Sequence, residues 1–87
     1  MTNKECAAII RAAAKKWLDN VKDPDVRRDV EFANCYRADA KDMREVAKLV
    51  RIGKVKEAAM KADNLDTIVR ELFPDNCWEY LMSALVK

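Results

Sequence analysis

Apolar residues recur at helical spacing along this chain, and only one glycine, Gly53, and two prolines, Pro24 and Pro74, punctuate them. No stretch alternates β-branched with polar residues as a half-buried strand would, so the pattern predicts helices throughout. Leu65, Ile68, Val69, Leu72 and Phe73 fit the i, i+3, i+4, i+7, i+8 template and predict a core helix. Pro74 closes it, because its ring cannot continue the hydrogen-bond ladder. With 87 residues, of which 51% are apolar, the chain has enough material for one core and no room for a second. The expected architecture is all-α: a compact single-domain bundle of five to six short helices covering residues 1–87.

The helix boundaries follow from capping chemistry. Thr2 with Glu5 has the form of a capping box, so a first helix is expected from Asn3 to about Val21, with Cys6, Ile9, Ile10, Ala13, Trp17 and Val21 on its apolar face. Its many alanines favour helix and keep it thin, so a neighbour can approach closely. Asp23 and Pro24 read as the cap and first position of a second helix, with Val26, Val30 and Ala33 as its stripe. A further stripe, Tyr36, Ala40, Met43, Ala47 and Val50, is rotated by roughly 100° from the previous one. One straight helix would bury only one of the two stripes. The expectation is therefore a bend or break between Asn34 and Asp42, dividing segments 24–36 and 39–52, with Asp42 and Glu45 as a second capping box.

Gly53 sits where a helix ends in a left-handed residue. Beyond it, Lys54–Ala62 reads as a short alanine-rich helix with a supporting role. Asn76 with Glu79 marks the start of a last helix that runs to the C-terminus and turns Trp78, Leu81, Met82 and Leu85 inward. Trp17 and Trp78 both lie at the centre of apolar stripes and are expected in the core.

Charge is distributed unevenly. Residues 1–36 hold seven Lys/Arg and six Asp/Glu, residues 37–61 hold eight and four, and residues 62–87 hold two and five, which makes the middle basic and the end acidic. Arg37, Lys41, Arg44, Lys48 and Arg51 fall within roughly an 80° arc of one helix, a cationic rail beside the apolar stripe. Lys4, Arg11, Lys15 and Lys22 form a secondary basic face on the first helix. Leu49, Ile52 and Leu18 fall off the main apolar arcs and join the rail as interface candidates. The competing reading of both rails is a solvated helix face, and that of the three apolar residues is burial on a second side.

The residue inventory narrows the chemistry. Histidine is absent, which removes the commonest general base and metal ligand and every Ser-His or Cys-His pair. Three cysteines without histidine cannot supply a four-ligand zinc site from sulfur and nitrogen, and one glycine cannot make a phosphate-binding loop. Cys6, Cys35 and Cys77 contain no CxxC pair and read as reduced, mostly buried thiols. The only serine, Ser83, lies in the last helix, where a hydroxyl bonds back to a carbonyl. Asp25, Asp29, Asp63 and Asp66 lie near helix ends and read as caps rather than a catalytic pair.

No catalytic residue, metal site, cofactor or small-molecule substrate is expected. No membrane span or signal-peptide core is expected either, and the reading is a soluble cytoplasmic protein. Two functions remain. The first is a non-enzymatic protein that acts stoichiometrically on the acidic surface of a larger protein or nucleoprotein assembly, an adaptor or inhibitor. Small phage-encoded inhibitors such as anti-CRISPRs act in this manner, and the chain has no sequence resemblance to them. The alternative is direct nucleic-acid binding without sequence preference, with the basic faces on phosphates.

Overall fold

In the computed structural model, which describes residues 1–86, the chain forms α1 (Asn3–Leu18), a 3₁₀ turn (Asp19–Lys22), α2 (Pro24–Arg28), α3 (Val30–Arg51), α4 (Val55–Asp63), α5 (Thr67–Arg70) and α6 (Asp75–Val86). Among the described residues there is no strand, and no helix is long and apolar enough to cross a membrane. The expected all-α bundle is therefore present. The last helix is described as far as Val86, and its expected extension to the C-terminus, Lys87, lies outside the described residues.

α3 is the axis of the bundle. It is 22 residues long, about 33 Å at 1.5 Å per residue, and it is continuous. The expected break between Asn34 and Asp42 is absent. The chain breaks instead at Asp29, whose extended backbone ends α2 and whose Oδ1 accepts the Phe32 amide at 3.1 Å, capping α3. Asp42 and Glu45 lie inside the helix and cap nothing. A straight α3 does not bury both stripes in full: Ala33, Ala40, Met43, Val46, Ala47 and Val50 are buried, whereas Val30 is 66% exposed and Val26, on α2, is half-buried. The error lay in requiring both stripes to be buried. The first turns of α3 overhang the core, with α2 and the 3₁₀ turn alongside. This overhang gives a molecule 45 Å long and 21 by 20 Å across, with a radius of gyration of 13.3 Å. A compact domain of this length would have about 12 Å.

α1 lies antiparallel to α3. Its C-terminal Trp17 meets Tyr36 and Asp39 near the start of α3, and Arg11 shares a groove with Ala47 and Arg51 near its end. Ala7 and Ala14 on α1 and Ala40 and Ala47 on α3 are buried in this contact, which lets the two backbones approach closely. α1 itself starts at the Thr2 cap, whose Oγ1 accepts the Glu5 amide at 3.1 Å. It gives way to the 3₁₀ turn at Asp19, short of the expected Val21.

Gly53 has φ +89°, the only positive φ among the described residues, and the Lys54 amide donates to the Leu49 carbonyl across this corner at 2.8 Å. A Cβ at Gly53 would meet no atom within 4 Å. Gly53→Ala is therefore expected to destabilise through backbone strain alone, by about 1–2 kcal/mol, in reversible chemical denaturation. An unchanged or raised midpoint would mean that the corner tolerates an L-residue.

α4 is more central than its low hydrophobicity suggested. Ala58, Ala59 and Ala62 are fully buried, and the helix is wedged between α3 and α6. Glu45 of α3 and Lys61 of α4 form an ion pair at 3.0 Å that lies off the cationic rail. The expected core helix over residues 65–73 is only the single turn of α5. Val69 and Phe73 are buried, Leu65 and Leu72 half-buried, and Ile68 is 68% exposed. The backbone is extended at Asp66, which delays the helix to Thr67, and after it the Leu72 and Phe73 amides bond to the Val69 and Arg70 carbonyls as tight turns rather than as α-helix. α6 begins at Asp75, directly after Pro74, so Asn76 is inside its first turn rather than at its cap. Its buried residues are Cys77 and Leu81, with Trp78, Met82 and Leu85 half-buried against the core. Trp17 is half-buried as well, so neither tryptophan is enclosed as expected.

Candidate functional site: a cationic groove between α1 and α3

The antiparallel packing of α1 on α3 brings two basic faces together that are distant in sequence. Arg11, Lys15 and Arg44 line one hollow between the helices, with Ala12, Ala14 and Leu18 as its apolar part. Arg11 and Arg44 also line the next hollow, with Ala47, Lys48 and Arg51. The shared arginines make the two hollows one groove, and no acidic side chain lines it. All five cations are exposed, and none takes part in an ion pair among the described residues. The small residues beneath explain the groove. Alanines at the helix contact leave space between two rows of long side chains, whose apolar stems can lie along the walls while the charges stay in water.

The structure does not gather all the expected site residues. Arg37 and Lys41 are exposed on α3 but lie outside both hollows, and Arg37 donates to Asn34 Oδ1 at 3.0 Å. Lys4 is outside the groove, and Lys22 belongs to the 3₁₀ turn, where it pairs with Asp19 at 3.4 Å. Leu49 and Leu18 are half-buried against the core, so they are packing residues rather than free anchors. Ile52 is 52% exposed beside the Gly53 corner and remains available.

Five unpaired cations create a local positive potential that concentrates anions, the more so where low-dielectric walls flank them. The arginines carry planar forks suited to carboxylates or phosphates, and the lysines act as point charges. From Arg44 to Arg51 the groove runs about 10 Å along α3. That is enough for two or three anionic groups spaced a helical turn apart.

The remaining polar chemistry is structural. Ser83 Oγ donates to the Glu79 carbonyl at 2.8 Å, as expected of a mid-helix serine. The Tyr80 hydroxyl donates to Asn3 Oδ1, tying α6 to the start of α1. Asp29 caps α3, Asp66 precedes α5, and Asp63 pairs with Arg70 at 3.9 Å. No group of three or more Cys, Asp or Glu side chains able to hold a metal occurs among the described residues.

Cys6 and Cys77 are buried against each other, and the Cys77 thiol donates to the Cys6 carbonyl at 3.8 Å. Burial pushes the Cys6 thiol up to about 12, helped by the neighbouring Cys77, and burial pushes the Cys77 thiol up as well. Both thiols stay protonated in the fold at pH values where the unfolded chain ionises them. Their contribution to stability is therefore complete below about pH 9 and is lost as the pH rises toward 12. Cys35 is exposed. An aromatic disulfide reagent at pH 8 is expected to modify one thiol promptly, none in Cys35→Ser, and all three in denaturant. Prompt modification of two or three would contradict the α1–α6 packing.

Comparison with known proteins gives no match to a family model, to a curated sequence or to a solved structure.

Proposed function

We propose that the chain is a non-enzymatic binding protein that acts stoichiometrically, as an adaptor or inhibitor, by laying the α1–α3 groove against an anionic surface of a larger protein or nucleoprotein assembly. One observation carries this reading: Arg11, Lys15, Arg44, Lys48 and Arg51 share a groove in which no acid neutralises them. The reading needs no cofactor, and it places the protein in the cytoplasm, where an exposed thiol such as Cys35 stays reduced.

Direct nucleic-acid binding would use the same groove. The protein reading is preferred because the net charge is only +2 and because a large apolar side chain, Ile52, stands exposed beside Arg51 of the groove. Phosphate contacts have no use for it, whereas protein interfaces bury such side chains.

The two readings separate in a quantitative capture experiment from lysate of the source organism, with and without nuclease, using the wild-type chain and R44E/K48E. The expected result is a protein retained by the wild type after nuclease treatment and lost with the variant. Capture that disappears with nuclease, together with affinity for any duplex that falls steeply with salt, would replace this reading with the nucleic-acid one. Identical capture by wild type and variant would reduce the groove to a solvated surface.

A further inference from the structure

A second concavity lies on the opposite flank of α3. At 100° per residue, Phe32, Cys35 and Asp39 fall about 40–100° to one side of Tyr36, and the cationic rail about 60–140° to the other. Trp17, Phe32, Cys35, Tyr36, Asp39 and Ile68 line a cavity of about 370 Å³. The Tyr36 ring lies 4.6 Å from that of Trp17, tilted by 46°, and 5.2 Å from that of Phe32, nearly edge-on at 84°. Three rings in different planes therefore surround one hollow.

The charged group in its wall is the Asp39 carboxylate, which accepts the Trp17 indole Nε1–H at 3.4 Å. No lysine or arginine lines the cavity, and Asp39 belongs to no ion pair among the described residues. Partial burial pushes the Asp39 pKa up; the Trp17 bond opposes this, and the charges of Asp42 and Asp66 add to the rise. The ionised carboxylate is thus short of positive charge. A cation entering the hollow would meet aromatic faces, which attract it through their quadrupoles, and a carboxylate that no Lys or Arg pairs with among the described residues.

We propose that this pocket binds a guanidinium group, presented as an arginine side chain by a partner protein. The planar, weakly hydrated guanidinium stacks on aromatic rings while its fork reaches a carboxylate, a combination that a strongly hydrated ammonium does not match. The apolar walls suit the methylene stem of the side chain. A protein is the source because the rim is itself apolar and exposed. Phe32 is 50% and Ile68 68% exposed. A polypeptide would cover these side chains, whereas a free small cation would leave them in water. The proposal rests on the aromatic pocket alone and does not depend on the groove.

The test is a titration of the ¹⁵N-labelled full chain, followed at the Trp17 indole N–H, with the Trp78 indole as internal control. Acetyl-Gly-Arg-Gly-amide, the same peptide with norleucine in place of arginine, and guanidinium chloride are added at matched ionic strength. The arginine peptide is expected to shift Trp17 saturably in the millimolar range while Trp78 stays in place. The norleucine peptide and guanidinium chloride should each bind at least about tenfold more weakly. Asp39→Asn should weaken the arginine peptide by about tenfold or more, as loss of a charge-assisted contact requires. Phe32→Ala, a change at an exposed ring, should weaken it with the fold retained. Equal binding of the norleucine peptide, or an unchanged affinity in Asp39→Asn, would make the site merely apolar and overturn the proposal. Guanidinium chloride binding as well as the peptide would overturn the protein source. A concentration-dependent Trp17 shift without peptide, abolished by Asp39→Asn, would identify a second copy of the chain as the occupant and equally overturn it.

Discussion

Met43→Ala is expected to destabilise the protein by about 2–5 kcal/mol, the range for deleting a fully buried aliphatic side chain. Met43 is fully buried in the middle of α3, among the largest enclosed side chains, where α3 packs against both α1 and α4. Its removal leaves a cavity in the core cluster. A domain of this size has roughly 4–13 kcal/mol in total. The change therefore removes a large share of its stability and lowers the melting temperature by roughly 8–40 °C. Met60→Ala deletes the same atoms at a position 52% exposed on α4 and should stay within about 0.5 kcal/mol. Comparable effects of the two substitutions in urea denaturation would mean that α3 is not the centre of the core.

The second large effect concerns binding. R44E/K48E places two carboxylates where two unpaired cations stood, so it removes two charge-assisted contacts and adds repulsion toward an anionic partner. Each such contact contributes about 1.5–3 kcal/mol, and together they predict a loss of at least roughly a hundredfold in affinity. Part of the loss should appear in the association rate and weaken with added salt, because exposed charges steer encounter. Folding stability should be almost unchanged, since both positions are exposed and neither pairs with an acid.

How far the sequence carried this account differs between fold and site. The helical class, the Thr2 cap and the Gly53 corner were all legible, because each depends on local chemistry within a few residues. The course of residues 24–52 was misread because two apolar stripes were both assumed to be buried. The signal for the true break was present, since Asp29 stands before Val30 and Glu31 as an N-cap does, but a stripe with an exposed valine misdirected the reading. The 65–73 pattern is periodic without being one helix, because the extended backbone at Asp66 starts α5 late and tight turns after Arg70 end it early. Trp17 sits on the apolar arc of α1, but it packs against the overhanging start of α3 and so is only half enclosed.

The site was legible as residues and not as a shape. Each basic face followed from helical spacing, but nothing local says which face of α1 meets which face of α3. That pairing selects Arg11 and Lys15 from one face and Arg44, Lys48 and Arg51 from the other. It leaves Lys4, Lys22, Arg37 and Lys41 outside. Trp17 and Tyr36 were visible on their separate apolar arcs, and only the crossing of α1 over the start of α3 joins them with Phe32 and Asp39 in one pocket.

The central claim is that the working unit is the groove between two helices and not the charged face of one. A comparison of R11E with R37E tests it most directly, through the affinity of each variant for the protein captured by the wild type. Arg37 belongs to the same helical rail as Arg44, whereas Arg11 lies on another helix and shares the groove with it. The account predicts that R11E loses at least about tenfold in affinity while R37E stays within about twofold. A loss in R37E equal to or greater than that in R11E would contradict it.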